Sequence, residues 1–196
     1  MIFFTGLLAS ILHVVSGPDH LAAVTPIAIQ SQKKSWLIGL SWGAGHTLGV
    51  LLIGILFMIF REIIPIEKIS HHSEQIVGGM LILIGVWALI KFFYRKDKEK
   101  KEIENRSQMK NVFSSIIIGL IHGLAGVSHI IGILPTLALP TKLEAALYLT
   151  GLMSGTILAM ISYSAILGFI SYKTNGSKKL ILNKIINISG GIFAIG

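Results

Sequence analysis

The chain contains no cysteine. A disulfide framework, a thiolate metal site and CxxC redox chemistry are therefore excluded. Charge is also scarce: 13% of the 196 residues are charged, against about 25% in a typical soluble domain. Acids are the rarer sign, nine Asp and Glu against 17 Lys and Arg. No Walker motif is present, so this chain is not expected to use ATP. No basic stripe accompanies the net charge of +8. The Lys and Arg residues flank apolar runs instead, which argues against a nucleic-acid partner. The N-terminus MIFFTGLLAS lacks a basic region ahead of its apolar run, and that run continues past signal length, so a cleavable signal peptide is not expected.

What is abundant is apolar sequence: 53% hydrophobic residues and a mean hydropathy of +0.76. A bilayer core needs about 20 apolar residues per helix. Six runs meet or approach that length: 2–29, 36–60, 75–94, 112–139, 144–171 and 180–196. The fold class expected is an all-α integral membrane protein with six transmembrane helices. Between the third and fourth runs lies one long Lys/Glu-rich segment, 95–111, read as a linker. Loop charges set the orientation. Fourteen Lys and Arg follow the first, third and fifth runs, and three lie on the other side. The basic loops are therefore placed in the cytoplasm and both termini outside.

The chain also repeats itself. A shift of 109 positions places His13 on His122, Gly17 on Gly126, His20 on His129, Pro26 on Pro135 and Thr47 on Thr156. With a small offset, Gly78-Gly79 matches Gly190-Gly191. The organisation expected is a first three-helix repeat at 1–94, a charged cytoplasmic linker at 95–111, and a second three-helix repeat at 112–196. Three helices per repeat forces opposite orientations. That is the inverted-repeat plan of many secondary transporters, with the site near the midplane on interrupted helices. The first helix of each repeat is the expected interrupted one.

Asp19 is the single acid in the interior of an apolar run, in the stretch HVVSGPDHLAAVTP at 13–26; Glu144 stands at the very start of the fifth. An ionisable group in lipid is expensive and marks a functional site by default. His13, His20, His46, His122 and His129 also fall within the runs, whereas His71 and His72 fall outside. On a straight helix His13 and His20 would stand about 10 Å apart along the axis, too far to share an ion that needs nitrogen at about 2.0–2.1 Å. Gly17-Pro18 supplies a break. Pro18 suits the first position of a second half-helix, with Ser16 or Gly17 capping it. Asp19 and His20 then sit at a helix N-terminus, which favours ionised carboxylate and neutral imidazole, the states a metal requires. Backbone carbonyls around 13–16 are further candidate ligands. In the second repeat Ser128 replaces the acid and Val127 the proline, so the first half is read as the primary site.

His46 lies in GLSWGAGHTLGV, where Gly39, Gly43, Gly45 and Gly49 allow close helix approach. The metal-ligand set expected is His13, Asp19, His20 and His46, with His122, His129 and Ser16 in a second rank. Nitrogen and carboxylate together suit nickel, cobalt or zinc. The plain alternative is a buried polar knot that fixes a kink, but such a knot does not need an acid at the break. A membrane enzyme with metal-activated water would need a general acid or base beside the ligands. None is available besides the ligands themselves, so an enzyme is not expected.

HVVSGPDHL resembles the signature stretch of the bacterial nickel/cobalt permeases. GPDHLAA and the later GHTLG are most similar to the six-helix branch linked to urease and hydrogenase maturation. Val14 stands where the hydrogenase-linked group carries proline, and the histidine spacing is one residue longer than in the eight-helix members. The resemblance implies uptake of Ni²⁺ or Co²⁺ across the bacterial cytoplasmic membrane, with Zn²⁺ a further cargo and with hand-off to cytoplasmic metallochaperones of nickel enzymes. It implies no permanent cofactor, and its partners are the divalent ion and membrane lipid. Export by the same fold, or carriage of a neutral or zwitterionic solute, are the alternatives.

The cysteine-free background makes the topology directly testable. A single cysteine placed at Lys100 is expected to react with an impermeant maleimide in inside-out vesicles only. Reaction in right-side-out vesicles would invert the assignment.

Overall fold

A computed structural model of the chain describes residues 1–60, 102–125 and 132–173, together with helical positions 75, 78–79, 82–83, 86 and 90. The expected third and sixth spans therefore lie wholly or largely outside the described residues, as do His71, His72 and His129. Every regular element among the described residues is helical: α1 Ile2–Ser16, α2 Pro18–Ser31, a 3₁₀ turn Gln32–Lys34, α3 Ser35–Phe60, α4 Glu102–Ala125, α5 Pro135–Ala138 and α6 Lys142–Lys173.

The first apolar run divides at Gly17, as the sequence predicts. Proline occupies the first position of α2, and Gly17 is its N-cap without a side-chain capping bond. Ser16 does not cap. Its hydroxyl donates back into α1, to the carbonyls of Leu12 at 2.7 Å and His13 at 3.2 Å. This back-bonding takes the hydroxyl away from the new helix. The polar segment 95–111 also differs from the expected linker, because from Glu102 onward it is the first part of α4. Its Glu, Lys, Arg, Gln and Met residues are strong helix formers and extend the apolar helix without a cap between.

Gln32 has φ +46°. This left-handed residue ends α2 and lets the chain fold back, so that His20 of α2 faces Trp42 and His46 of α3. The helices then pack along seams of small residues. On α3, a side chain at Gly39 would run into the Met160 backbone and one at Gly43 would meet Ile157 at 3.1 Å, both on α6 and in antiparallel order. Gly45 and Gly49 abut Ile116 and Leu120 of α4, in parallel order. Gly119 and Gly123 of α4 answer against Trp42 and His46. A second parallel seam joins α1 to α6, where Gly6 abuts Tyr148 and Gly155 abuts Leu7 and Ser10. Such seams bring backbones close enough for van der Waals packing to hold helices together.

The bundle is apolar outside and partly polar inside. Phe4, Leu8, Leu12 and Val15 of α1, Phe113 and Ile117 of α4, and Leu158, Ile166 and Phe169 of α6 are exposed. Ser10, His20, Ser35, His46, Ser115, His122, Thr156 and Ser164 are buried. Broad exposed apolar faces mark contact with lipid or a partner. Among the described residues, two helical stretches are long and apolar enough to cross a membrane: Pro18–Leu56, which includes the turn at Gln32–Lys34, and Lys142–Lys173. The interior apolar cluster is Val14, Ala23, Val24, Ile27, Ala28, Ile38, Trp42 and Met160.

Gly119→Ala would drive a methyl group into the Trp42 carbonyl. Overpacking of this kind costs about 1–3 kcal/mol, which a lowered thermal midpoint in detergent would register. Gly54→Ala meets only the tip of the Ile133 side chain and is expected to stay within about 1 kcal/mol of the parent.

Candidate metal centre

The break at Gly17 determines the local geometry. Its φ of −89° and ψ of 99° suit any residue, so glycine is required by space and not by conformation. A Cβ there would stand 2.6 Å from His20 Nδ1 and 2.9 Å from Asp19 Oδ1. Both side chains fold back over the start of α2 and occupy the place a larger residue would need. The His13 carbonyl accepts from Gly17 N–H at 2.9 Å and from the Ser16 hydroxyl at 3.2 Å. Of the carbonyls around 13–16, that of His13 is therefore already hydrogen-bonded within the break.

Asp19 uses its two oxygens separately. Oδ1 accepts from His20 Nδ1 at 2.9 Å, and Oδ2 lies 3.2 Å from His122 Nε2. The imidazole side chains are 2% and 1% exposed, whereas the carboxylate is 40% exposed. The acid therefore sits at the rim with buried nitrogen behind it. One ligand atom each from Asp19, His20 and His122 lie within 4.8 Å of one another.

His20 is the hub of a wider cluster. Its ring centroid is 4.8 Å from His13, 5.2 Å from His46 and 4.8 Å from His122. The break has thus brought His13 and His20 together despite the six residues between them. Trp42 forms the floor, stacked on His46 at 4.8 Å with 8° between planes, and within 5.6 Å of His20 and 5.4 Å of His122. Four imidazoles, one carboxylate and an indole from α1, α2, α3 and α4 form one cluster of contacts. Imidazole nitrogen and carboxylate oxygen are the donors that transition-metal dications prefer.

Of the residues singled out in the sequence, His13, Asp19, His20, His46 and His122 converge here. Ser16 is exposed and turned to its own helix. His122, ranked second, stands beside Asp19 as closely as any histidine except His20. Trp42 was missed, although it precedes His46 by four residues and so shares its helix face.

No protein-family model matches the chain, and no solved structure matches it. Three curated proteins are similar. The chloroplast protein FOR GROWTH AND FERTILITY 1 of Arabidopsis thaliana is 33% identical over 98% of this chain and 56% of its own length. The chloroplast protein FOR GROWTH AND FERTILITY 2 of the same plant is 34% identical over 84% of this chain and 46% of its own. The chain thus spans about half the length of these two. The urease accessory protein UreH of Bacillus sp. (strain TB-90) is 29% identical over 97% of this chain and 86% of its own length. The similarity to UreH runs over nearly the whole of this chain and most of that urease accessory protein.

Asp19→Ala removes the acceptor shared by His20 and His122. A buried donor left without an acceptor costs about 1–3 kcal/mol, so the metal-free variant should unfold at lower temperature than the parent. Asp19→Asn, which keeps one acceptor oxygen, should fall between the two.

Proposed function

We propose that the chain is a membrane transporter of a divalent transition-metal ion, Ni²⁺ or Co²⁺, working by alternating access in the uptake direction. The observation that carries this reading is the meeting of Asp19, His20 and His122 at a helix break, within 4.8 Å, among helices whose outer faces are apolar. The resemblance of HVVSGPDHL to the nickel/cobalt permeases and the similarity to a urease accessory protein support it.

The architecture proposed is six spans in two inverted three-helix repeats, 1–94 and 112–196, joined through 95–111. The two parallel seams support it. A shift of 109 converts the contact of Trp42 and His46 with Gly119 into one of Gly151 and Gly155 with Ser10. Gly155 does abut Ser10, and Gly151 abuts Leu7 and Phe3 on the same helix. Exchange of the repeats thus maps the α3–α4 seam onto the α6–α1 seam. By the loop charges both termini face outward, and the membrane proposed is the bacterial cytoplasmic membrane.

In this mechanism the ion sheds water and exchanges it for imidazole nitrogen from His20, His122, His13 and His46 and for Asp19 oxygen. Asp19 offsets part of the ion's charge in a region where an isolated charge costs about 3 kcal/mol or more. His122 and Asp19 belong to different repeats. Tilting one repeat against the other would therefore separate ligands and release the ion to the cytoplasm, where metallochaperones of nickel enzymes would receive it.

Calorimetric titration of purified protein with Ni²⁺, Co²⁺ and Zn²⁺ tests the reading, since the ion and the apo protein are both available. Asp19→Ala, His20→Ala and His122→Ala should each weaken binding by about 100-fold or more, at least as much as loss of an outer-shell partner. Equal affinity in the parent and all three variants would move the site elsewhere. Absence of binding in folded parent protein would leave the cluster a structural knot.

A further inference from the structure

Beside the histidine cluster lies a cavity of about 180 Å³, enclosed by α1, α3 and α6. His13 and His46 form part of its wall, together with Ser10, Thr47, Met153 and Thr156. On α1 its lining precedes and includes His13, on α3 it runs from His46 toward the C-terminus, and on α6 it covers 148–156. All three stretches lie toward one face of the bundle, the face that holds the N-terminal ends of α1 and α6. Away from that face, beyond Trp42, the helices are closed by the packed cluster of Val24, Ile27, Ala28, Ile38 and Met160. A polar tie reinforces that closed side: Thr25 donates to the Leu21 carbonyl at 2.6 Å and receives the Tyr163 hydroxyl at 2.7 Å.

The cavity's hydroxyls are arranged as acceptors. Ser10 donates to Leu7 O at 3.0 Å and Thr156 to Leu152 O at 3.0 Å. Each thereby spends its hydrogen on its own helix and keeps its lone pairs for another group. Thr47 is 6% exposed, and its hydroxyl has no hydrogen-bond partner among the described residues. A buried hydroxyl left so is costly unless water or an ion serves it. Thr47 and Thr156 are also partners under the 109-residue shift, so the repeats contribute equivalent hydroxyls to one space. At about 30 Å³ per water in the liquid, a cavity of about 180 Å³ holds about six waters. That is room for a small cation with its hydration shell.

We infer that this cavity is the entry vestibule through which a hydrated divalent cation reaches His13 and His46, with Ser10, Thr47 and Thr156 supporting its waters on the way. The inference rests on the transport reading and adds to it the route, the face of entry and three residues outside the ligand set. On the topology proposed above, that face is the outer one.

The absence of native cysteine allows a direct test. Met153→Cys should react with a cationic, membrane-impermeant methanethiosulfonate in right-side-out vesicles, Ni²⁺ should slow the reaction, and the adduct should block Ni²⁺ uptake. Ala28→Cys, in the closed half, should stay unreactive from either face. Reaction of Met153→Cys from the opposite face or from neither, or ready reaction of Ala28→Cys, overturns the vestibule. The labelling arm needs no metal, so these outcomes count against the route even if the parent binds Ni²⁺. Conversely, labelling from the outer face in a protein that binds no metal counts against the transport reading alone. Thr47→Val, close in shape, should slow Ni²⁺ uptake about three- to tenfold, the effect of one lost hydrogen bond, with equilibrium affinity at the Asp19 site retained. Unchanged uptake would remove Thr47 from the route.

Discussion

The architecture of the centre depends on a carboxylate placed where a helix starts. Asp19 occupies the first turn of α2, whose partly positive end favours an anion. From there it addresses one imidazole on its own helix and one on α4. Everything near it is arranged to permit this. Pro18 begins the helix without needing a hydrogen-bond acceptor. Gly17 leaves the space that the two side chains fold into. His13, at the end of α1, is brought back to within ring contact of His20. A continuous helix would separate these groups and bury the acid without partners.

The second constraint is how closely the helices must approach. Imidazole rings from four helices form one cluster, with neighbouring centroids 4.8 to 5.6 Å apart. That spacing requires backbones in near contact around the cluster. Gly119 and Gly123 on α4 bracket His122 and receive the carbonyls of Trp42 and His46. The residues that pack the seam therefore alternate with those that furnish nitrogen. Among the described residues, an apolar cluster that includes Val24, Ile27, Ala28 and Ile38 packs on one side of the centre and the cavity lies on another.

Part of this was legible from residues alone. The break at Gly17-Pro18 follows from proline's missing donor, and the long apolar helices Ser35–Phe60 and Lys142–Lys173 follow from run length. His46 could be paired with the first helix because its neighbours are glycines. Other features depend on tertiary packing and left weaker traces. Trp42 reads as an ordinary aromatic until α2 folds back at Gln32, a residue whose left-handed conformation no turn motif announces. Ser16 reads as a cap, but its hydroxyl finds nearer acceptors in the turn behind it. The join between the polar segment and α4 was obscured because helix propensity, not hydropathy, governs Glu102–Lys110. His122 looked secondary because its repeat lacks the acid. In space it needs none of its own, since Asp19 reaches across.

That asymmetry has a physical consequence. An exact repeat of the sequence would carry an acid at position 128 as the counterpart of Asp19. Ser128 stands there instead. A single carboxylate with neutral imidazoles leaves a bound dication with net positive charge in a low-dielectric setting. Its binding then depends on the number of nitrogen donors held at once, not on charge balance alone. Those donors come from both sides of the repeat boundary: His13, His20 and His46 from the first half and His122 from the second. On the transport reading, a relative movement of the halves that withdraws His122 from Asp19 lowers the donor count before the ion has to leave the carboxylate. The barrier to letting the ion go is lower than a symmetric, doubly acidic site would impose. One acid in place of two thus suits a centre proposed both to hold a cation and to release it.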